Sequence, residues 1–171
     1  MSFKHTIRNS VVFLTWIPVG YVFLNHVAQP CSITGTSMTP TLNPGLELTT
    51  NDLVLVKKWG FKRPHSVHRG DIIMFRSPYD PEKLVTKRVV AVQGDTVYPK
   101  HPYPKSSTRI PRNHVWVEGD NAFHSIDSND YGPISQGLIV GKVVSVLWPL
   151  NRFGTDLSQG GRDPRIQLPE Q

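Results

Sequence analysis

The chain has 171 residues, room for one domain with a substantial core and hardly for two. Lys and Arg outnumber Asp and Glu by 19 to 13; with no basic cluster and no recognisable nucleic-acid module, that surplus suits solubility or anionic lipid rather than nucleic acid. A single cysteine, Cys31, excludes an internal disulfide, no Cys/His cluster has zinc spacing, and 15 prolines with 13 glycines favour turn-rich β structure over a helical bundle.

In chain order, a short tail of residues 1–10 leads into residues 11–28, VVFLTWIPVGYVFLNHVA, apolar apart from Thr15, Asn25 and His26. Its length falls at the short end of a membrane-spanning helix, and Pro18 is tolerated there as a kink. Lys4, His5 and Arg8 precede it, and no acidic residue appears before Glu47. The positive-inside rule then leaves the short N-terminus on the side of insertion and carries the bulk across. The expectation is a retained single-pass anchor. A removable signal peptide would need small residues at a cleavage site, and the A-x-A pattern is missing around HVAQPCS; a buried core helix is the other reading. The few residues between Ala28 and Ser37 span at most about 30 Å, which places Ser37 near the membrane face.

After the anchor, residues 29–153 read as one domain of strands broken by Gly/Pro turns. Segments 53–57, 71–76, 83–92, 95–99, 114–120 and 138–148 are rich in Val, Ile, Leu and Trp. The polar stretches between them are loops, including the long KHPYPKSSTRIPRN. No internal repeat appears, and beyond the anchor only one helical turn is expected, near 133–137. The tail, residues 154–171, is polar and Gly/Pro-rich and reads as extended or loosely packed.

Three elements could carry chemistry. In the strand 83–92, alternation puts Val85, Lys87 and Val89 on one face and Thr86, Arg88 and Val90 on the other. An amine between valines is open to desolvation, which lowers a lysine pKa, and a neutral lysine can act as general base toward a hydroxyl. The plainer reading is a lysine snorkelling from an edge strand. Ser37 lies on a stiff Thr/Pro loop whose amides could line an oxyanion hole, or is simply a turn residue. Directly after a strand, GDNAFHSIDSNDYG (119–132) gathers Ser125, Asp127 and Ser128, which fits either a site or an Asx-turn loop capped by its own side chains.

Taken in order, SMTPTL (37–42), RGDIIMF (69–75), TKRVVAVQGD (86–95) and GDNAFHSIDS (119–128) behind an N-terminal anchor resemble the signal peptidase I family of membrane-bound Ser-Lys proteases. The resemblance runs from about residue 10 to about residue 150, and its C-terminal part is similar to the mitochondrial branch. It implies a mainly β, antiparallel β-sheet protease domain of signal-peptidase type with one N-terminal transmembrane helix. It makes Ser37 the nucleophile and Lys87 the general base. Ser125 would orient the lysine amine, Asp127 would brace that loop, Met38 would pack beside the nucleophile, and the Ser37 N–H would help form the oxyanion hole. Gly70 and Asp71 would form a tight turn feeding a core strand.

The same resemblance implies a membrane-anchored serine endopeptidase that removes sorting peptides from precursor proteins delivered to the mitochondrial intermembrane space. Its substrates would carry small residues before the cut. It further implies the inner membrane and its lipid as the setting, a homologous catalytic subunit as heterodimer partner, and no metal or organic cofactor. Two departures stand out. Bacterial relatives commonly carry a serine at the position of Gly35, leaving Thr36 or another amide to compensate, and Asn129 stands where an arginine is usual. A catalytically inactive subunit that stabilises its partner is the alternative. A soluble self-cleaving repressor would need a helix-turn-helix where this chain has its apolar segment.

Overall fold

The computed structural model describes residues 14–44, 51–60, 66–157 and 166–167. Residues 14–22 are helical and pass into a π-helical turn, Phe23–Val27, whose last carbonyl, Val27 O, accepts from the backbone N–H groups of Lys58 and Trp59. The chain then straightens into β1 (Ala28–Ser32).

Nine more strands follow among the described residues: β2 (Leu53–Lys57), β3 (Ile72–Arg76), β4 (Leu84–Val92), β5 (Thr96–Val97), β6 (Thr108–Arg109), β7 (His114–Glu118), β8 (Ile134–Ser135), β9 (Ile139–Trp148) and β10 (Ile166–Gln167). Seven of them form one sheet in the order β1-β2-β9-β3-β4-β7-β8; β10, β5 and β6 form a second, three-stranded sheet. All pairings are antiparallel. The mainly β, antiparallel expectation therefore holds.

The six longer strand expectations each coincide with a strand to within a few residues, because β-branched runs bounded by Gly and Pro leave little choice of structure. Three short strands ahead of the tail were not anticipated. β1 contains Pro30, β6 lies in a stretch read as loop, and β8 is two residues long; each owes its extended form to a neighbour rather than to its own composition. The helical turn expected near 133–137 appears as a 3-10 turn, Gln136–Leu138. A four-residue helix, Ser128–Tyr131, was not foreseen.

No helix of the described residues is long and apolar enough to cross a membrane. The anchor expected over 11–28 begins among residues outside the described ones, and its far end is corrected: helix stops at Val27, and Ala28 is buried as the first residue of β1. The helical part is nonetheless apolar on all sides and exposed. Leu14, Trp16, Ile17, Val19, Tyr21, Val22, Phe23 and Leu24 each keep half or more of their surface accessible. In the tail, Leu157 packs into the core beside Met38 and Leu42 and the extended β10 pairs with β5; the rest of residues 158–171 lies outside the described residues.

The core divides around the large sheet. One cluster joins Ile33, Met38 and Leu42 of the Ser37 loop to Val54, Val56, Ile72, Met74, Val143 and Val146. A second joins Ile73, Phe75, Val89, Val115, Val117 and Ile134, with Val85 against it. The third, around Trp116, Ala91 and Val97, ties the small sheet to the large one. Each fully buried aliphatic side chain contributes roughly 1.5–3 kcal/mol. The Ser37 loop is thus rooted in the main core rather than laid on its surface.

Candidate active site

β4 is an interior strand, flanked by β3 and β7, so the edge-strand reading of Lys87 is excluded. Its register opposite Ile73, with Val85 and Val89 packed into the second cluster, puts the Lys87 side chain on the apolar face that alternation required. Lys87 is 2% exposed. Burial lowers the pKa of its amine below the ordinary 10.5, and the carboxylates of Asp127, Asp130 and Asp120 oppose that shift without cancelling it.

The amine donates to Ser125 Oγ at 2.9 Å, and Ser125 Oγ donates in turn to Asp127 Oδ2 at 2.7 Å. The direction of this chain matters. With the hydroxyl proton committed to Asp127, Ser125 offers Lys87 a lone pair, so one amine N–H is fixed and the nitrogen lone pair is left to point elsewhere.

Asp127 is itself held from every side. Its Oδ2 also accepts from Gly119 N at 3.1 Å, and its Oδ1 accepts from Asn129 N at 3.0 Å and Asn129 Nδ2 at 2.9 Å. It is the N-cap of the short helix, completed by Asp130 Oδ2 accepting from Asp127 N at 2.9 Å, a reciprocal capping box. Ser128 is fully buried, and its Oγ accepts from Val117 N on β7 at 2.9 Å, which pins the loop to the sheet. Asn129, the departure from the usual arginine, thus serves Asp127 with two neutral donors in place of an ion pair.

Ser37 reaches the same cluster by its backbone. Its carbonyl accepts from Asn121 N at 3.0 Å, and the preceding carbonyl, Thr36 O, accepts from Asn121 Nδ2 at 3.1 Å. Gly119 lies at the crossing point: a Cβ there would overlap Ser125 Oγ and the Ser37 carbonyl oxygen. The structure therefore brings Ser37, Lys87, Ser125 and Asp127 to one place, with the Lys87 hydrogen bond going to Ser125 and Ser37 attached through Asn121. Met38 is buried and belongs to the core cluster that includes Ile33 and Leu42.

The Ser37 loop is braced from behind. Asn43 Nδ2 donates to Ile33 O (2.8 Å) and Gly35 O (3.1 Å), Asn43 Oδ1 accepts from Asp52 N, and Arg152 joins the Asp52 carboxylate and the Thr41 carbonyl. Arg88, next to Lys87, makes a bidentate pair with Asp120 (2.8 and 2.7 Å) and also donates to Gly70 O and Leu157 O. Gly35 has φ +95°, a conformation that glycine adopts freely and other residues rarely, which accounts for the absence of a side chain there. Gly70 likewise turns at φ +88° and donates to Val89 O, the tight turn expected before β3.

Sequence reasoning missed Asn121, Gly119 and Asn43. Asn121 was hidden inside a polar run where any residue could be a turn former. The signal for Gly119 was present as a strand-ending glycine, and its meaning lies in a contact 82 positions away that no local pattern encodes.

The family described as signal peptidase, peptidase S26, matches residues 6–102 and 98–148. The chain belongs to this family, and its class is that of signal-peptidase-I-type peptidases. Among its relatives is mitochondrial inner membrane protease subunit 2 of Saccharomyces cerevisiae, 48% identical over 163 residues, covering 95% of this chain and 92% of that one. The subunit 2 of Homo sapiens is 43% identical and covers 82% of this chain and 79% of its own. The human subunit 1 is 35% identical, with 80% and 79% covered.

Proposed function

We propose that this chain is a membrane-anchored serine endopeptidase in which Ser37 is the nucleophile and Lys87 the general base. The observation that carries the reading is the buried, pKa-lowered amine of Lys87, oriented by Ser125 beside the Ser37 loop. Neutral Lys87 takes the proton from Ser37 Oγ as that oxygen attacks the scissile carbonyl carbon. The carbonyl π pair moves onto oxygen, and the Ser37 N–H stabilises the charge; among the described residues this N–H donates to no other group. Lys87 then gives the proton to the departing amine, leaving an acyl-enzyme. Water, deprotonated by the same amine, attacks the ester and releases the sorting peptide, the mature protein having already left as the departing amine.

The exposed apolar helix at the N-terminus supports membrane attachment, since such a surface is costly in water and natural in lipid. The names of the relatives support the mitochondrial inner membrane as its location and a homologous subunit as partner; in this reading the catalytic domain faces the intermembrane space. Its substrates are then precursors with sorting peptides and small residues before the cut. The test is processing of such a precursor by membranes in which the full chain is assembled with its partner. Ser37→Ala is expected to abolish cleavage while the complex still assembles. Unchanged cleavage by that variant would contradict the proposal.

A further inference from the structure

We infer that Asn121 is a positioning residue for the oxyanion hole, setting the direction of the Ser37 N–H by clamping the peptide groups on both sides of Ser37. The inference rests on the reading of Ser37 as nucleophile and deepens it.

The Thr36–Ser37 peptide group carries the Ser37 N–H at one end and the Thr36 carbonyl at the other. Because a peptide group is planar, fixing the carbonyl fixes the N–H. Asn121 Nδ2 holds that carbonyl at 3.1 Å, and Asn121 N holds the next one, Ser37 O, at 3.0 Å. Thr39 N supplies a second donor to Thr36 O, also at 3.1 Å. Donors on a carbonyl also polarise its peptide, which strengthens the N–H as a donor in turn.

Asn121 is preorganised for this task. Its Oδ1 accepts from Phe123 N at 3.3 Å and its carbonyl accepts from His124 N at 3.2 Å, so its own turn is closed on both sides. It comes directly after Asp120, which Arg88 grips bidentately from the strand that carries Lys87. One residue thereby ties the orientation of the oxyanion donor to the strand of the base. The value of such a clamp is visible at Gly35, where φ +95° and the missing side chain leave no hydroxyl at that position. A backbone donor that acts without that help depends the more on its direction.

The test compares Asn121→Ala and Asn121→Asp with the full-length wild type in membranes. Readouts are the kinetics on a peptide with small residues before the cut and inhibition by the matching peptide aldehyde. Ser37 Oγ adds to the aldehyde carbon, its proton passes to Lys87, and the aldehyde oxygen becomes the anion that the hole must hold. Asn121→Asp keeps the backbone bond and turns the side-chain donor into an acceptor. Both variants are expected to lose about 10- to 100-fold in kcat and a similar factor in aldehyde affinity. KM should stay within about twofold, the thermal midpoint should hold for Asn121→Asp, and in Asn121→Ala the acid limb of the pH–rate profile should not move, since the Lys87 contacts are untouched; the added carboxylate of Asn121→Asp shifts that limb only toward higher pH. Unchanged kcat and aldehyde affinity would overturn the inference, as would losses confined to KM or, in Asn121→Ala, accompanied by a displaced acid limb. A wild type that cleaves the peptide yet forms no adduct on Ser37 would instead overturn the nucleophile reading itself.

Discussion

Lys87 Nζ lies 2.9 Å from Ser125 Oγ, and the two side chains meet across 38 positions of sequence in a site where the lysine is almost fully buried. A lysine placed there charged would lose much of its hydration for one hydroxyl and three carboxylates at a distance. The protein answers by making the neutral amine easier to reach.

As the proposed general base, that amine would set the pH dependence of the reaction. The rate should fall on the acid side as Lys87 takes up a proton, with a midpoint below 10.5. Lys87→Arg should reduce activity by about 1,000-fold or more, on the order of other losses of a triad base, because a guanidinium stays protonated. A pH–rate profile with a flat acid limb, or an active arginine variant, would remove Lys87 from the role.

The same burial has a consequence for stability. A lysine whose folded pKa lies below its unfolded value binds fewer protons when folded, so its penalty shrinks as pH rises toward 10.5 and is largest below the folded pKa. Lys87→Met should therefore raise the thermal midpoint at pH 7, and the gain should fade on approaching pH 10.5. Scanning calorimetry across that range checks the sign; a gain that grows with pH would refute it.

Asp127 accepts four hydrogen bonds and caps a helix. Removing it in Asp127→Ala leaves the half-buried donor of Gly119 and the buried donors of Asn129 unpaired. A loss of about 2–4 kcal/mol is expected, read from denaturant unfolding. Ser125 also loses the acceptor that fixes its proton, so activity should drop at least tenfold even where the variant is folded.

Gly119→Ala forces a methyl group into the space shared by Ser125 Oγ and the Ser37 carbonyl. Relief requires pushing apart the Ser37 loop and the Ser125 loop, and a shift of about 1 Å in catalytic geometry costs on the order of 100-fold. Steady-state kinetics should show that loss mainly in kcat.

The range of each interaction decides whether it could be read from the sequence. β2, β4 and β9 announce themselves through alternating or continuous β-branched residues, and the burial of Lys87 is foreshadowed by Val85 and Val89 on its face. Ser37 and Ser125, by contrast, are ordinary loop serines until family motifs join them. The interior place of β4, which decides whether Lys87 snorkels or is sealed, depends on strand order, and that is fixed by β3 and β7 packing on either side. Asn121 and Asn43 could not be read at all, because hydrogen bonds to distant carbonyls leave no periodic trace.

The most direct measurement is mass spectrometry of the full-length protein quenched in acid during turnover of a precursor peptide. The account predicts an acyl group, matching the segment before the cut, on the fragment that contains Ser37 and absent from Ser37→Ala. Turnover with no acyl-enzyme, or with the label on another residue, would contradict a Ser37–Lys87 peptidase.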